Sequence, residues 1–443
     1  MNTPLVDFLR EYSEKNVIRL HMPGHKGKTV LGMENWDLTE VSGADSLYEA
    51  SGIIAESEAN ASALFGSQAS FYSTEGSSQC IRAMLQLIMQ CRREGSAPLI
   101  LAARNVHKAF VYAAALLDIR VKWLWPEGTD SVCACPLSAQ MLEFELEALA
   151  EKPAAVYITS PDYLGNMADI KAMAEVCHRY GVLLAVDNAH GAYLHFLEKP
   201  LHPLDLGADI CCDSAHKTLP VLTGGAYLHI SCRLPSVYAA KAKAALALFG
   251  STSPSYLIMA SLDACNAYLS DCFEAELDKF CRELDALKLR LRAHGWQVEN
   301  SDPLRLTLRT EGGKVAELLR AKGIEAEYAD DDYIVFMLSP QNTNAELSVL
   351  ECFLLSMPPV CCEQADFELG KPEQLCSIRE AVLSPSEVIP VRNSLGRICA
   401  SPMVSCPPAI PIVVSGEKID TKAIKLFEYY KINNVEVLKV PAE

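Results

Sequence analysis

The sequence predicts an α/β protein built on a mainly parallel sheet, and three features carry that reading. Between about residues 55 and 230, short apolar runs alternate with amphipathic stretches, the pattern of a parallel sheet covered by helices. The runs are the right length for buried strands: PLILAAR (98–104), AAVYITS (154–160), VLLAVDN (182–188), ADICCDS (208–214) and GAYLHI (225–230). Several of them end in polar residues, where open α/β sheets place their ligands. Stretches between them, such as DIKAMAEVCHRYG, show helical periodicity and stop at glycine. A helix-rich connector follows, from VYAAKAKAALALFG through DACNAYLSDCFEAELDKFCRELDALKLRLRAHG. Beyond Trp296 the pattern changes to DPLRLTLRT, a helix at 313–322, then DDYIVFMLS, which reads as a smaller α+β domain. Pro and Cys crowd 358–411, before a last helix and strand.

At 443 residues the chain is long enough for two or three domains, and half of it is apolar. No run is long enough to span a bilayer, and the charged N-terminal stretch MNTPLVDFLREYSEKN has no apolar signal core. A cytoplasmic protein with no membrane partner is expected. The 17 cysteines are odd in number and scattered, and pairs such as Cys211-Cys212 and Cys361-Cys362 sit in apolar surroundings. No CxxC occurs, and the CxC at Cys133 and Cys135 lacks a second half, so free thiols and no metal site are expected. A net charge of −17 without a basic tract argues against nucleic acid as a partner. The acidity either steers a cationic substrate or only keeps the protein soluble.

Two residues carry the chemistry. Asp187 ends the run LLAVD, and Lys217 follows thirty positions later in SAHKTLP, after the next strand and before Gly224-Gly225. An enzyme that uses pyridoxal phosphate needs both: a lysine to form a Schiff base with the aldehyde, and a carboxylate to keep the pyridine nitrogen protonated. Alone, Asp187 reads better as a turn acid or helix cap, and Lys217 thirty residues on reverses the balance. His190, three residues on, can sit over the same ring. Of the three His-Lys dipeptides, at His25, His107 and His216, only the last has a serine two positions before the histidine and a Gly-Gly pair after it. Lys108 is the main decoy. His107 lies just past a strand in RNVHKAF, where it either stacks on a cofactor ring or is a solvated loop residue. Ser73-Thr74-Glu75-Gly76-Ser77-Ser78 precedes a helical run, and small residues at a helix N-terminus expose N–H groups to an anion such as phosphate. Serine-rich caps are also common without any ligand.

The chain resembles the short-form Orn/Lys/Arg decarboxylases, fold-type I pyridoxal-phosphate enzymes. The resemblance runs nearly end to end: HMPGHKG (21–27), DLTEVSGADSLYEASGII (37–54), FYSTEGSS (71–78), RNVHKAF (104–110), SPDYLGN (160–166), DNAHGAY (187–193), SAHKTLP (214–220), STSPSYLIMASLDA (251–264), SLGRICASPMVSCPPAIP (394–411) and SGE (415–417). It implies a large domain with a mainly parallel seven-stranded sheet and smaller α+β C-terminal domains. The expected boundaries are an N-terminal arm over 1–55, a cofactor-binding domain with connector helix over 56–290, a small domain over 291–360 and a C-terminal domain over 361–443.

Residue by residue, the resemblance implies that Lys217 holds the cofactor, Asp187 pairs with the pyridinium nitrogen and His107 stacks on the ring. Gly76, Ser77, Ser78, Ser214 and His216 surround the phosphate, and His190 lies near the ring oxygen and the substrate carboxylate. Thr252, with Ser251 and Ser253, approaches the phosphate from a neighbouring subunit, so a homodimer with shared sites is implied. The chain departs from the family at CPPAIP, where YPPGIP is common, and at PDYLG, where PTYYG is common. Asp162 and Cys406 therefore leave the choice of substrate open.

The expected reaction is α-decarboxylation of arginine, lysine or ornithine to an amine that feeds polyamines, with Lys217 or His190 returning a proton to Cα. Asp45, Glu49 and Asp162 are the candidates for binding the distal cation of the substrate, against a plainer reading as loop acids or caps. An aminotransferase or α-oxoamine synthase is the nearest alternative, and the former would need an arginine such as Arg305 or Arg309 for the substrate carboxylate. A catalytically silent relative would be expected to lose the lysine or its acid, and both are present. A dinucleotide-binding protein would need a GxGxxG after a strand, and none occurs.

Overall fold

The chain forms the strands β1 (Ala69–Ser73), β2 (Ala97–Ala103), β3 (Arg120–Leu124), β4 (Pro153–Thr159), β5 (Leu183–Asp187), β6 (Ile210–Asp213) and β7 (Ala226–Ile230), five of them from the apolar runs. The structure, a computed structural model, describes residues 1–15, 17–299, 301–359, 369–402 and 410–439. The seven strands form one sheet in the order β1-β7-β6-β5-β4-β2-β3. β2 runs parallel to β3 and β4, and β5 parallel to β6, whereas β7 is antiparallel to β6 and β1. The mainly parallel seven-stranded sheet is thus present. β6 and β7 are buried throughout, which is why they read as apolar runs without alternation. The two strands the sequence reading did not single out, β1 and β3, are the edges of the sheet. β3, RVKWL, is mostly half-buried, so its polar residues hide the strand pattern.

The chain divides into two compact units, residues 1–92 with 183–278 and residues 93–182 with 279–443. In the first, helix α1 (Pro4–Glu14) is anchored by Asp263, whose Oδ2 accepts the Leu5 and Val6 N–H groups at 2.9 and 3.0 Å. That carboxylate takes N–H groups which a helix start leaves without partners. Helix α2 (Ile53–Leu64) follows the N-terminal arm, and α3 (Gly76–Cys91) packs on β6 and β7, with Cys80, Ile81, Met84, Leu85 and Ile88 buried. The connector forms helix Tyr256–Tyr268, a π-helical turn Leu269–Phe273 and helix Glu274–His294.

The second unit contains helices α4 (Lys108–Leu117), α5 (Ala139–Glu147) and α6 (Ile170–Arg179). It also holds an antiparallel sheet of β8 (Gln297–Glu299), β9 (Arg305–Arg309), β10 (Tyr328–Ala329) and β11 (Tyr333–Met337), in the order β10-β11-β9-β8. The C-terminal strands β12 (Ser386–Pro390) and β13 (Asn434–Leu438) pair antiparallel. Val391, Cys399, Ile412, Phe427 and Val437 from this region share one apolar cluster with Tyr163, Tyr328, Tyr333 and Val335. The C-terminal segment therefore builds part of this unit's core. Cys361, Cys362 and Cys406 lie outside the described residues.

Candidate active site

Asp187 is the last residue of β5, and its side chain is buried. The turn after it is tight: Asn188 N donates to Cys212 O at 3.0 Å and Gly191 N to Asn188 O at 2.8 Å. A Cβ on Gly191 would lie 2.1 Å from Asn188 Oδ1 and 2.6 Å from a Leu194 methyl, so a larger residue would have to displace those side chains. Asp187 Oδ1 accepts the Ala189 N–H at 3.2 Å and faces Cys212 Sγ at 3.8 Å.

The next strand, β6, leads into a single helical turn, α7 (Ala215–Thr218), which carries His216 and Lys217. Lys217 is exposed, and its Nζ lies 3.0 Å from His190 Nε2. His216 Nδ1 lies 3.1 Å from Gly225 O and 3.4 Å from Ser214 Oγ. Burial pushes the His216 imidazole below its ordinary range, and the Lys217 charge adds to that.

The Gly224-Gly225 pair joins this turn to the serine-rich loop. Gly224 has φ +100°, and a Cβ there would lie 2.7 Å from Thr74 O. This close approach lets Gly76 N donate to Gly224 O at 2.7 Å. Gly76, itself at φ +71°, opens α3, with Ser77 and Ser78 in the first turn. A Cβ on Gly76 would stand in ordinary contact, 3.9 Å from His216 Cε1, so the start of α3 and the imidazole lie side by side and form a cradle. A helix N-terminus, two hydroxyls and an imidazole around that cradle suit a phosphate group. With Lys217 for an aldehyde and the buried Asp187 for a ring nitrogen, the set suits pyridoxal phosphate. Ser251, Thr252 and Ser253 are exposed. Ser251 N donates to Glu75 of its own chain at 2.5 Å, which puts this loop beside the start of α3.

Behind the strand ends lies a buried network that the sequence reading missed. Asp213 Oδ1 accepts the Asn188 amide at 2.7 Å, and Oδ2 lies 3.1 Å from His202 Nε2 and 3.2 Å from His229 Nε2. Ser70 Oγ meets His229 Nδ1 at 2.7 Å. Burial acts to raise the Asp213 carboxyl, but the two imidazoles outweigh it and hold the group well below the usual carboxylate range. The network grips Asn188, the neighbour of Asp187. Its signal in the sequence was a charged residue inside an apolar strand, ICCD, which must find partners when buried. His202, Cys211 and Asp213 also bring possible metal ligands within 4.8 Å of one another. The hydrogen bonds just described already occupy both Asp213 oxygens.

Asp45, with φ +65°, spends its carboxylate on backbone. It accepts N–H groups from Ser46, Ser51, Gly52, Ile54 and Ala55 at 2.8–3.4 Å and so caps α2. Glu49 is exposed on the short turn Leu47–Glu49.

In the second unit, His107 is the N-cap of α4, its Nδ1 accepting the Ala109 N–H at 3.1 Å. Asp162 is buried and accepts the backbone and side-chain N–H groups of Asn166, both at 2.9 Å. Burial pushes its carboxyl up to about 6, against the lowering effect of Asn166 and Arg305. It lines a cavity of about 340 Å³ with Asn105, Thr129, Asp130 and Asn166. The two arginines considered for an aminotransferase are engaged. Arg305 donates to Asp162 O and Tyr163 O at 3.2 and 2.7 Å, and Arg309 pairs with Asp130 at 2.7 Å.

The topology is that of the fold-type I enzymes that use pyridoxal phosphate. The chain belongs to the Orn/Lys/Arg decarboxylase family, matching the major domain of that family over residues 3–283 and its C-terminal domain over 371–441. The YaaO protein of Bacillus subtilis is 31% identical, over 96% of this chain and 93% of its own length. An arginine decarboxylase of Bacillus anthracis is 28% identical, over 94% of this chain and 90% of its own. Among solved structures, the lysine decarboxylase LdcF of Francisella novicida superposes with a TM-score of 0.81 at 18% identity, covering 99% of this chain and 81% of that one.

Proposed function

We propose that the chain is a pyridoxal-phosphate-dependent α-decarboxylase of a basic amino acid. The observation that carries this reading is Lys217 Nζ at 3.0 Å from His190 Nε2, in the same unit as the buried Asp187 and the Gly76–His216 cradle. When bound, the cofactor supplies an aldehyde for amines and a ring that accepts the electrons of the broken bond. The chain's own residues do the rest. Gly76, Ser77, Ser78, Ser214 and His216 hold the phosphate, with Ser251 and Thr252 of a neighbouring copy reaching it as the family resemblance implies. Asp187 keeps a proton on the ring nitrogen by its negative charge, and the Asp213 network holds the turn that carries it. His107 would stack on the ring, as the family resemblance implies. Lys217 gives up its place to the substrate amine, and its Nζ or the His190 imidazole then returns a proton to Cα, on the atom that has lost carbon dioxide. The net change is one proton consumed, one carbon dioxide released and a primary amine formed.

Arginine, lysine and ornithine are the substrates proposed, their amines being polyamine precursors. Of the acids considered for the distal cation, Asp45 is occupied as a cap and Glu49 stands in solvent; Asp162, though bonded to Asn166, is the one that lines a cavity, of about 340 Å³, and is kept in the proposal on that ground. A homodimer is part of the proposal. Ile18, Leu20, Val30 and Leu31 in the N-terminal arm are 83–91% exposed, an apolar strip that a second copy would cover. A cytoplasmic location goes with it, and no helix among the described residues is long and apolar enough to cross a membrane. The deciding assay offers the three amino acids to purified protein and to Lys217→Ala. Carbon dioxide release should fall by at least about a thousandfold in the variant. Undiminished release would remove the central assignment.

A further inference from the structure

The C-terminal region holds the segment around His107 at both ends, and each contact lies within the second unit. Before His107 stands Arg104, the first residue after β2, only 2% exposed. Its Nη1 donates to Pro411 O at 2.9 Å, and its Nη2 to Ile412 O at 3.0 Å and to Glu417 Oε2 at 3.1 Å. The guanidinium also lies 5.2 and 5.3 Å from the ring centres of Trp123 and Trp125. Glu417 is 1% exposed, and its Oε2 takes the Val414 N–H at 2.7 Å as well. Gly416 makes this possible: at φ +89°, a Cβ there would lie 2.4 Å from Cys376 O. Beyond His107, Arg379 donates to Ala115 O and Leu116 O at 3.1 and 3.0 Å, the carbonyls that the end of α4 leaves open. The helix Ile378–Leu383 that bears Arg379 packs on α4.

We propose that the C-terminal domain is a clamp that positions His107, with Glu417 and Arg379 as its positioning residues. The inference rests on the reading that His107 lies on the cofactor ring. His107 is three residues from Arg104 and is the cap of α4, so a shift of either anchor moves its imidazole. A buried guanidinium does not tolerate loss of its carboxylate, because an uncompensated charge then remains inside. Arg104 must follow Glu417 or draw in water, and the loop ahead of His107 moves with it. Neither anchor touches substrate.

The test compares Glu417→Gln, Arg379→Ala and His107→Ala with the unaltered holoenzyme, and adds the combined His107→Ala/Glu417→Gln variant. The measurements are the pyridoxal-phosphate dissociation constant on reconstitution, the visible circular dichroism of the bound cofactor and the melting transition. His107→Ala is expected to weaken cofactor binding roughly ten- to hundredfold. Glu417→Gln should reproduce that loss and the altered dichroism in part while melting cooperatively, Arg379→Ala less so. The combined variant should be no weaker than His107→Ala alone, because the anchor acts through the imidazole. Arg379 is exposed, so its variant reads out the clamp even if Glu417→Gln does not fold. If His107→Ala weakens binding while both anchor variants match the unaltered protein, the clamp is overturned and the His107 reading stands. Additive losses in the combined variant also overturn it. An unchanged constant in His107→Ala sinks the His107 reading, and the clamp with it.

Discussion

Two buried carboxylates, Asp213 in the first unit and Asp162 in the second, have opposite characters. Both lose nearly all contact with water, and burial alone raises each. Asp213 has two imidazoles and an amide on its oxygens, and it stays ionised far into acid. Asp162 has Asn166 and the Leu164 backbone on its carboxylate, with the Arg305 guanidinium bonded to neighbouring carbonyls, and it rises to about 6. The difference shows that the partners of a buried acid decide its charge, more than its depth does. It also divides their uses: a permanent anion can hold Asn188 beside Asp187, whereas Asp162 changes charge near neutral pH.

The largest effect that would test this contrast comes from Asp213→Ala. It leaves two imidazoles and the Asn188 amide without their acceptor, and urea unfolding should show a loss of about 3–5 kcal/mol. Because the folded carboxyl sits below its unfolded range, its contribution is complete above that unfolded range. It fades only as the pH falls toward the lowered folded value. A variant as stable as the parent at pH 7 would break the network reading.

Asp162→Asn should act in the other direction. The parent's Asp162 is raised, so its stability contribution is whole below the unfolded value of 3.8 and is lost as pH rises through about 6. The asparagine variant should lack that pH dependence and be more stable at pH 8 by about 1–3 kcal/mol. Equal slopes for the two proteins between those values would dismiss the raised carboxyl.

Asp45 sharpens the comparison at the smallest scale. Its partners are backbone N–H groups alone, which lower its carboxyl despite the opposing effect of burial. Asp45→Ala should cost about 1 kcal/mol, the usual loss of a helix cap, and leave the choice among basic amino acids unchanged. A selective loss of one substrate would instead return Asp45 to the binding of the distal cation.

Much of this was legible because it is local. The buried strands β5, β6 and β7 announce themselves as apolar runs, and DNAHG and SAHKTLP are turns whose residue types state their geometry. Gly224 fits that reading, since a Cβ there would press on the Thr74 carbonyl, and Gly191 keeps clear of the Asn188 and Leu194 side chains. The edge strands β1 and β3 were harder, since half-burial lets polar residues interrupt the pattern. Asp45 was legible as a loop acid or cap as well as a candidate for the distal cation, but its five N–H partners were not.

The sequence by itself determined the alternation of strands and helices, the lysine and acid at successive strand ends, and the glycines between them. These follow from periodicity and backbone sterics over a few residues. Tertiary structure alone decided which charges met: Asp213 with His202 and His229, and Arg104 with Glu417, 313 positions apart. Side-chain pairing at that separation depends on where the whole chain packs, and removal from water then obliges each buried charge to find its partner.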